Sequence, residues 1–196
     1  MTLNELQNVA VDAARQAGDF LNQRKLEKKE VFMEEGRDIK LIIDQDTEKL
    51  IRSSLQKTDI SILGEEYGGE ISKEKYWVID PIDGTANYFR GLDECCVSIA
   101  LMEGDEALIG VIYNFNNNQM YTAIKNHGAF LNNTKISVSD IATKNKASIT
   151  TGFPASETIE SSMSFLEDLK GWKKVRMFGS AAVSYTHLTL PTILLV

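Results

Sequence analysis

Leu3, Leu6, Ala10, Ala13, Ala17, Phe20 and Leu21 recur at the three- and four-residue spacing of an amphipathic helix, so residues 3–21 predict a helix with one buried stripe. The charged stretch 24–40, with Gly36 inside it, predicts a connection or a pair of short edge strands. A second helical pattern runs over 44–57 and turns Leu50, Ile51 and Leu55 toward the core. Beyond it the period drops to two. Strands are expected at 60–63 and 76–79, then at 97–101 and 108–113 around the turn Glu103-Gly104-Asp105, and at 119–124. Shorter strands are expected at 128–131, 136–138 and 148–151, and a helix over 157–169. Asn116-Asn117-Asn118 is a turn rather than a recognition loop, because Asn tolerates the backbone of tight turns. Helices followed by a mostly antiparallel sheet define an α+β class with layered architecture.

Composition narrows the function. The 196 residues carry a net charge of −7, and no local basic patch stands out, so neither nucleic acid nor a membrane surface is an expected partner. The only two cysteines, Cys95 and Cys96, are adjacent, which suits neither a structural disulfide nor zinc; a buried apolar pair in a reducing, cytoplasmic setting fits better. The N-terminus lacks the pattern of a secretory signal, and the longest apolar tract is too short to span a bilayer.

The densest chemistry lies in Trp77-Val78-Ile79-Asp80-Pro81-Ile82-Asp83-Gly84-Thr85, with Gly64-Glu65-Glu66 after the preceding strand. Asp80 is expected where a buried strand emerges, Pro81 to turn the chain, and Asp83 to stand near the start of a helical turn. Glu65 can approach from the side. Taken singly, Asp-Gly is a common turn and Glu65-Glu66 a solvated loop. Together they assemble carboxylates that repel one another unless a cation is present. Hard oxygen donors without His or Cys suit Mg²⁺, and the N-H groups after Gly84 suit a phosphate.

At these residues the chain resembles the inositol monophosphatase family of metal-dependent phosphatases, whose Asp-Pro-Ile-Asp-Gly-Thr signature is intact in residues 80–85. The resemblance extends through the N-terminal helices, residues 38–48, Gly64-Glu65-Glu66, Cys96-Val97-Ser98-Ile99-Ala100-Leu101, Gly128-Ala129-Phe130-Leu131-Asn132 and Gly179-Ser180-Ala181-Ala182. It implies a layered α-β-α-β-α fold, commonly in a homodimer, hydrolysing a small phosphorylated substrate, with inositol 1-phosphate as the default. By resemblance, Glu65, Asp80 and the Ile82 carbonyl hold a first Mg²⁺, Asp80 and Asp83 share a second, and Glu65 touches a weaker third. Asp44 with Thr85 positions and deprotonates the attacking water, Gly84 and Thr85 bind phosphate through their amides, and Gly179, Ser180 and Ala181 line the substrate pocket. Arg176 matches a basic position for which a structural salt bridge is expected. Ser98 and Ser180 lack an activating His and are not expected to be nucleophiles, and His127 is expected in a loop.

The sequence also departs from the family. No later Trp-Asp motif is present, and Leu41 and Phe115 stand where Thr and Pro are frequent. Residues 1–182 are read as the family domain with its C-terminal part missing, and 183–196 as a non-native or chimeric tail, so the 196-residue chain is expected to be poorly active and aggregation-prone. Alternatives stay open: a related phosphatase acting on a nucleotide 3′-phosphate or fructose 1,6-bisphosphate, or a non-catalytic regulatory binding protein of the same fold.

Overall fold

The computed structural model describes residues 1–35, 38–153 and 163–187. Helix α1 (Leu3–Gln23) starts at a reciprocal cap: the Glu5 amide donates to Thr2 Oγ1 at 3.3 Å and the Thr2 amide to Glu5 Oε2 at 2.7 Å. Its buried face is Leu6, Val9, Ala10, Ala13, Ala14, Ala17, Gly18 and Leu21. These small side chains let the helix sit close to the sheet. Phe20, expected in the stripe, is only half-buried and lies under the Arg24 guanidinium, 3.9 Å from the ring centre.

Strands β1 (Val31–Glu35) and β2 (Asp38–Leu41) form an antiparallel pair, the edge-strand option for the charged stretch. Helix α2 (Ile42–Leu55) follows and packs on α1. The main sheet runs in the order β3 (Ser61–Gly64), β4 (Lys75–Asp83), β5 (Cys96–Glu103), β6 (Glu106–Asn114), β7 (Gln119–Ile124), β8 (Gly128–Leu131) and β9 (Thr134–Ile136). β3 and β4 are parallel and the remaining neighbours antiparallel, in keeping with the mostly antiparallel sheet expected. α1 and α2 cover one face of the sheet, and the core lies between them around Trp77, Ile79, Ile99, Leu101 and Val111.

Two expectations shift. β9 ends at Ile136 instead of starting there, because Asn132 and Asn133, both at positive φ, make the turn one step earlier. Pro81 does not end its strand. β4 runs through it to Asp83, with the three steps from Asp80 to Asp83 set against the two from Ser98 to Cys96 on β5, an irregularity at which a residue without N-H is tolerated.

Downstream, β10 (Ser148–Thr150) pairs in parallel with β11 (Lys174–Arg176), a strand that the apolar pattern did not reveal. The helix expected over 157–169 is seen as α4 (Met163–Asp168), and 157–162 lie outside the described residues. Helix α5 (Ala181–His187) crosses residue 182 and buries Val183; residues 188–196 lie outside the described residues. No helix among the described residues is long and apolar enough to cross a membrane.

Trp77 anchors the core: it is fully buried, and its indole N-H donates to Thr58 Oγ1 at 3.0 Å. A Trp77→Ala change is expected to cost ~3–5 kcal/mol. The midpoint of a urea unfolding curve checks this.

Candidate active site

The irregularity in β4 explains the Asp80-Pro81-Ile82-Asp83 spacing. In a regular strand, residues three apart point to opposite faces. The extra residue makes Asp83 lie opposite Cys96 and Asp80 opposite Ser98, two positions apart on the partner strand, so both aspartates can serve one side. The Asp80 carboxylate accepts from the Ile82 amide at 3.0 Å and hydrogen-bonds Glu65, which continues β3 by donating its amide to the Ile79 carbonyl at 3.3 Å. Burial, then the charges of Glu65 and Asp83, hold Asp80 well above the usual carboxylate range. A cleft of about 330 Å³ opens beside them, lined by Glu65, Asp80, Ser98 and apolar residues of β3–β5.

Asp83 is held from the opposite side by the start of α5. Its Oδ2 accepts from Ser180 Oγ at 2.7 Å and the Ala182 amide at 2.5 Å, and its Oδ1 from the Ala181 amide at 3.2 Å. Gly179, Ser180 and Ala181 are therefore brought to the site, with the Ala181 and Ala182 amides and the Ser180 hydroxyl engaged by Asp83. Asn87, which sequence reasoning missed, ties this segment down: its amide nitrogen donates to the carbonyls of Glu94 (2.7 Å) and Phe178 (2.6 Å). Gly84, at φ 94°, makes the turn into helix α3 (Thr85–Arg90), and a Cβ there would stand 2.8 Å from the Glu94 carbonyl oxygen.

On the other flank, Asp44 is buried at the start of α2. It accepts from the Leu41 amide at 2.8 Å and lies 3.2 Å from Thr85 Oγ1, which is itself 2.9 Å from the Ile82 carbonyl. One hydroxyl proton cannot serve both acceptors. The hydroxyl therefore bonds Asp44 Oδ1 and the Ile82 carbonyl in turn, and its bond to Asp44 favours the carboxylate against the effect of burial. Burial, with smaller contributions from Glu66 and Glu65, raises Asp44 to about 7.

Cys95 and Cys96 are free and buried, and burial pushes Cys95 up to about 12, so neither thiol is poised for redox chemistry. His127 is an exposed turn residue. Arg176 is exposed, its guanidinium donates to the Val175 carbonyl at 3.2 Å, and no ion pair involving it is seen among the described residues. The salt bridge expected of it is not formed there, because the strand leaves its side chain in solvent.

The oxygen donors fit a hard divalent cation in kind: Glu65 touches Asp80, and Asp83 is near enough to raise its pKa. A cation there would reverse the mutual repulsion that now favours the protonated form. The set is not ready-made, since no group of three His, Cys, Asp or Glu among the described residues already stands in a metal-holding arrangement. Asp83 would have to offer an oxygen lone pair beyond those taken by Ser180, Ala181 and Ala182.

A family model described as "Inositol monophosphatase family" matches residues 2–193. The chain belongs to the inositol monophosphatase family. The structural likeness agrees: the extragenic suppressor protein suhB from Bartonella henselae superposes with a TM-score of 0.85 at 30% identity, over 94% of this chain and 74% of that one. Among curated relatives, the "Nus factor SuhB" of Xylella fastidiosa is 40% identical over 154 residues, 76% of this chain and 56% of that protein. "Inositol monophosphatase 1" of Rattus norvegicus is 33% identical over 193 residues, 92% of this chain and 70% of that protein. The chain thus spans little more than half the length of the Xylella relative. A relative named as a Nus factor gives no support to the expectation that nucleic acid is excluded as a partner.

Proposed function

We propose that the chain carries the metal and phosphate half-site of a Mg²⁺-dependent phosphomonoesterase acting on a small polyol or sugar phosphate, with inositol 1-phosphate as first choice. The observation that carries this reading is the meeting, around one strand irregularity, of the Glu65–Asp80 carboxylate pair, Asp83, and the hydrogen-bonded Asp44–Thr85 pair. Glu65, Asp80 and the Ile82 carbonyl would hold one Mg²⁺, and Asp80 with Asp83 a second. When bound, such ions stabilise the charge that develops on the attacking and leaving oxygens of an in-line displacement.

The protein's own groups do the rest. Asp44 takes a proton through Thr85 Oγ1 and so orients a water for attack, a role for which a pKa near neutrality is suited. Gly84 and Thr85 offer amides to the phosphate at the turn into α3. Ser180 and the α5 amides keep Asp83 oriented and wall the site on the Gly179 side. No covalent intermediate is needed, and Ser180, bonded to Asp83, is not a nucleophile. A homodimer in a cytoplasmic setting belongs to the same reading.

The test is phosphate release from inositol 1-phosphate, fructose 1,6-bisphosphate and a nucleotide 3′-phosphate, with and without Mg²⁺. Release from none of them would favour the second reading, a non-catalytic binding protein of the same fold, to which the Nus-factor name of the Xylella relative also points.

A further inference from the structure

We propose that Glu48 and Arg52 are positioning residues that hold the Glu65 turn in register for cation binding; this rests on the metal reading of the site above. Glu48 is fully buried on α2, yet its carboxylate is engaged by a loop 18 and 19 residues away: Oε2 accepts from the Glu66 amide at 2.7 Å and Oε1 from the Tyr67 amide at 3.2 Å. Oε1 also accepts from Arg52 Nε at 2.7 Å, and the Arg52 guanidinium continues to the carbonyls of Ile62 (3.3 Å) and Gly68 (2.6 Å). The pair therefore grips the chain just before Glu65 and just after it. The Gly64 amide closes the same turn on the Gly68 carbonyl at 3.0 Å.

Close approach is built in. A Cβ on Gly64 would stand 2.0 Å from Glu48 Oε1, so only glycine leaves room for the carboxylate at this point. Burying a carboxylate is costly unless every lone pair finds a donor, and here the donors are those of the segment that carries Glu65. Groups that orient the groups holding a metal typically change its affinity about 10- to 100-fold when removed.

Glu48→Gln tests this, because a Gln places an N-H₂ group against either the Arg52 N-H or the loop amides and cannot accept on both atoms. The probe is Mn²⁺ titrated into the chain and followed by the electron-spin signal of the free ion, alongside amide hydrogen exchange at Glu66 and Tyr67. Glu48→Gln is expected to weaken Mn²⁺ binding about 10- to 100-fold and to speed exchange at both amides. Leu55→Ala, a core change on the same helix, should lower the melting temperature but leave Mn²⁺ affinity within about twofold.

Parent-like Mn²⁺ affinity in Glu48→Gln, or an equal loss in Leu55→Ala, overturns the proposal. Should Glu48→Gln fail to fold, the double variant Glu48→Gln/Arg52→Met, which removes both charges of the pair, carries the same expectation. Absence of Mn²⁺ binding by the unmodified chain overturns the metal reading itself and the positioning role with it. That result is distinguishable, since faster exchange at Glu66 and Tyr67 would still show the grip on the loop.

Discussion

An Asp80→Asn variant is expected to lose about 10²–10³-fold in Mg²⁺-stimulated phosphate release while melting, without added metal, at or above the temperature of the parent. The loss follows from removing the one carboxylate shared between both proposed cation positions, since such an ion supplies several kcal/mol of charge stabilisation. The retained stability follows from the hydrogen bonds. The new amide side chain would still accept from the Ile82 N-H and would donate to Glu65, replacing a carboxyl hemmed in by two other carboxylates. The variant removes repulsion and leaves no polar group unpaired. Opposite signs for activity and stability mark a residue kept for chemistry at the expense of the fold. Parallel phosphate-release assays and thermal melts check both halves; a variant that loses stability and activity together would instead place Asp80 among the structural residues.

Asp44→Asn is expected to reduce the pH dependence of stability between about pH 4 and pH 7 by the share that Asp44 contributes, and to lower phosphate release by ~10²–10⁴-fold. Asp44 has an ordinary value of 3.8 and is raised to about 7 in the folded chain. Between those values the native state holds a proton that the unfolded chain has lost, so stability falls as pH rises through this window and is flat above it. The full cost of about three pH units is ~4 kcal/mol. The uncharged amide would avoid it, with its oxygen accepting from the Leu41 N-H and its nitrogen donating to Thr85 Oγ1, whose own proton goes to Ile82. In the parent, kcat/KM should rise with pH as Asp44 loses its proton and becomes the base. Denaturation curves at about pH 5 and about pH 8, with the pH profile of phosphate release, measure the two effects. Identical stability of parent and variant at the higher pH would refute the cost assigned to burying this carboxyl.

Much of the site was legible because its residues are neighbours in the chain. Asp80, Asp83, Gly84 and Thr85 fall within six positions, and Glu65 follows a strand whose apolar run is plain. Glu48 was missed, though a signal exists. Asp44, Glu48, Ile51 and Leu55 recur at helical spacing and share the buried face of α2 with Thr47, so two carboxylates stand on the side of the helix that faces the core. A charged residue on the core side of an amphipathic helix must meet donors there, and Arg52 at i+4 is the first of them. Asn87 had no such signal, since its partners Glu94 and Phe178 are brought to it by folding.

Local periodicity and turn chemistry were enough to determine α1, the β5–β7 meander, and the presence of clustered oxygen donors beside a glycine turn, because each depends on residues within a few positions of one another. Tertiary structure alone decided that β4 runs through Pro81, that Asp83 meets Ser180 and Ala182 from 97 and 99 positions away, and that Asp80 and Asp44 are raised above the usual carboxylate range. Those outcomes depend on burial and on partners brought together across the chain, and neither quantity exists until the sheet has formed.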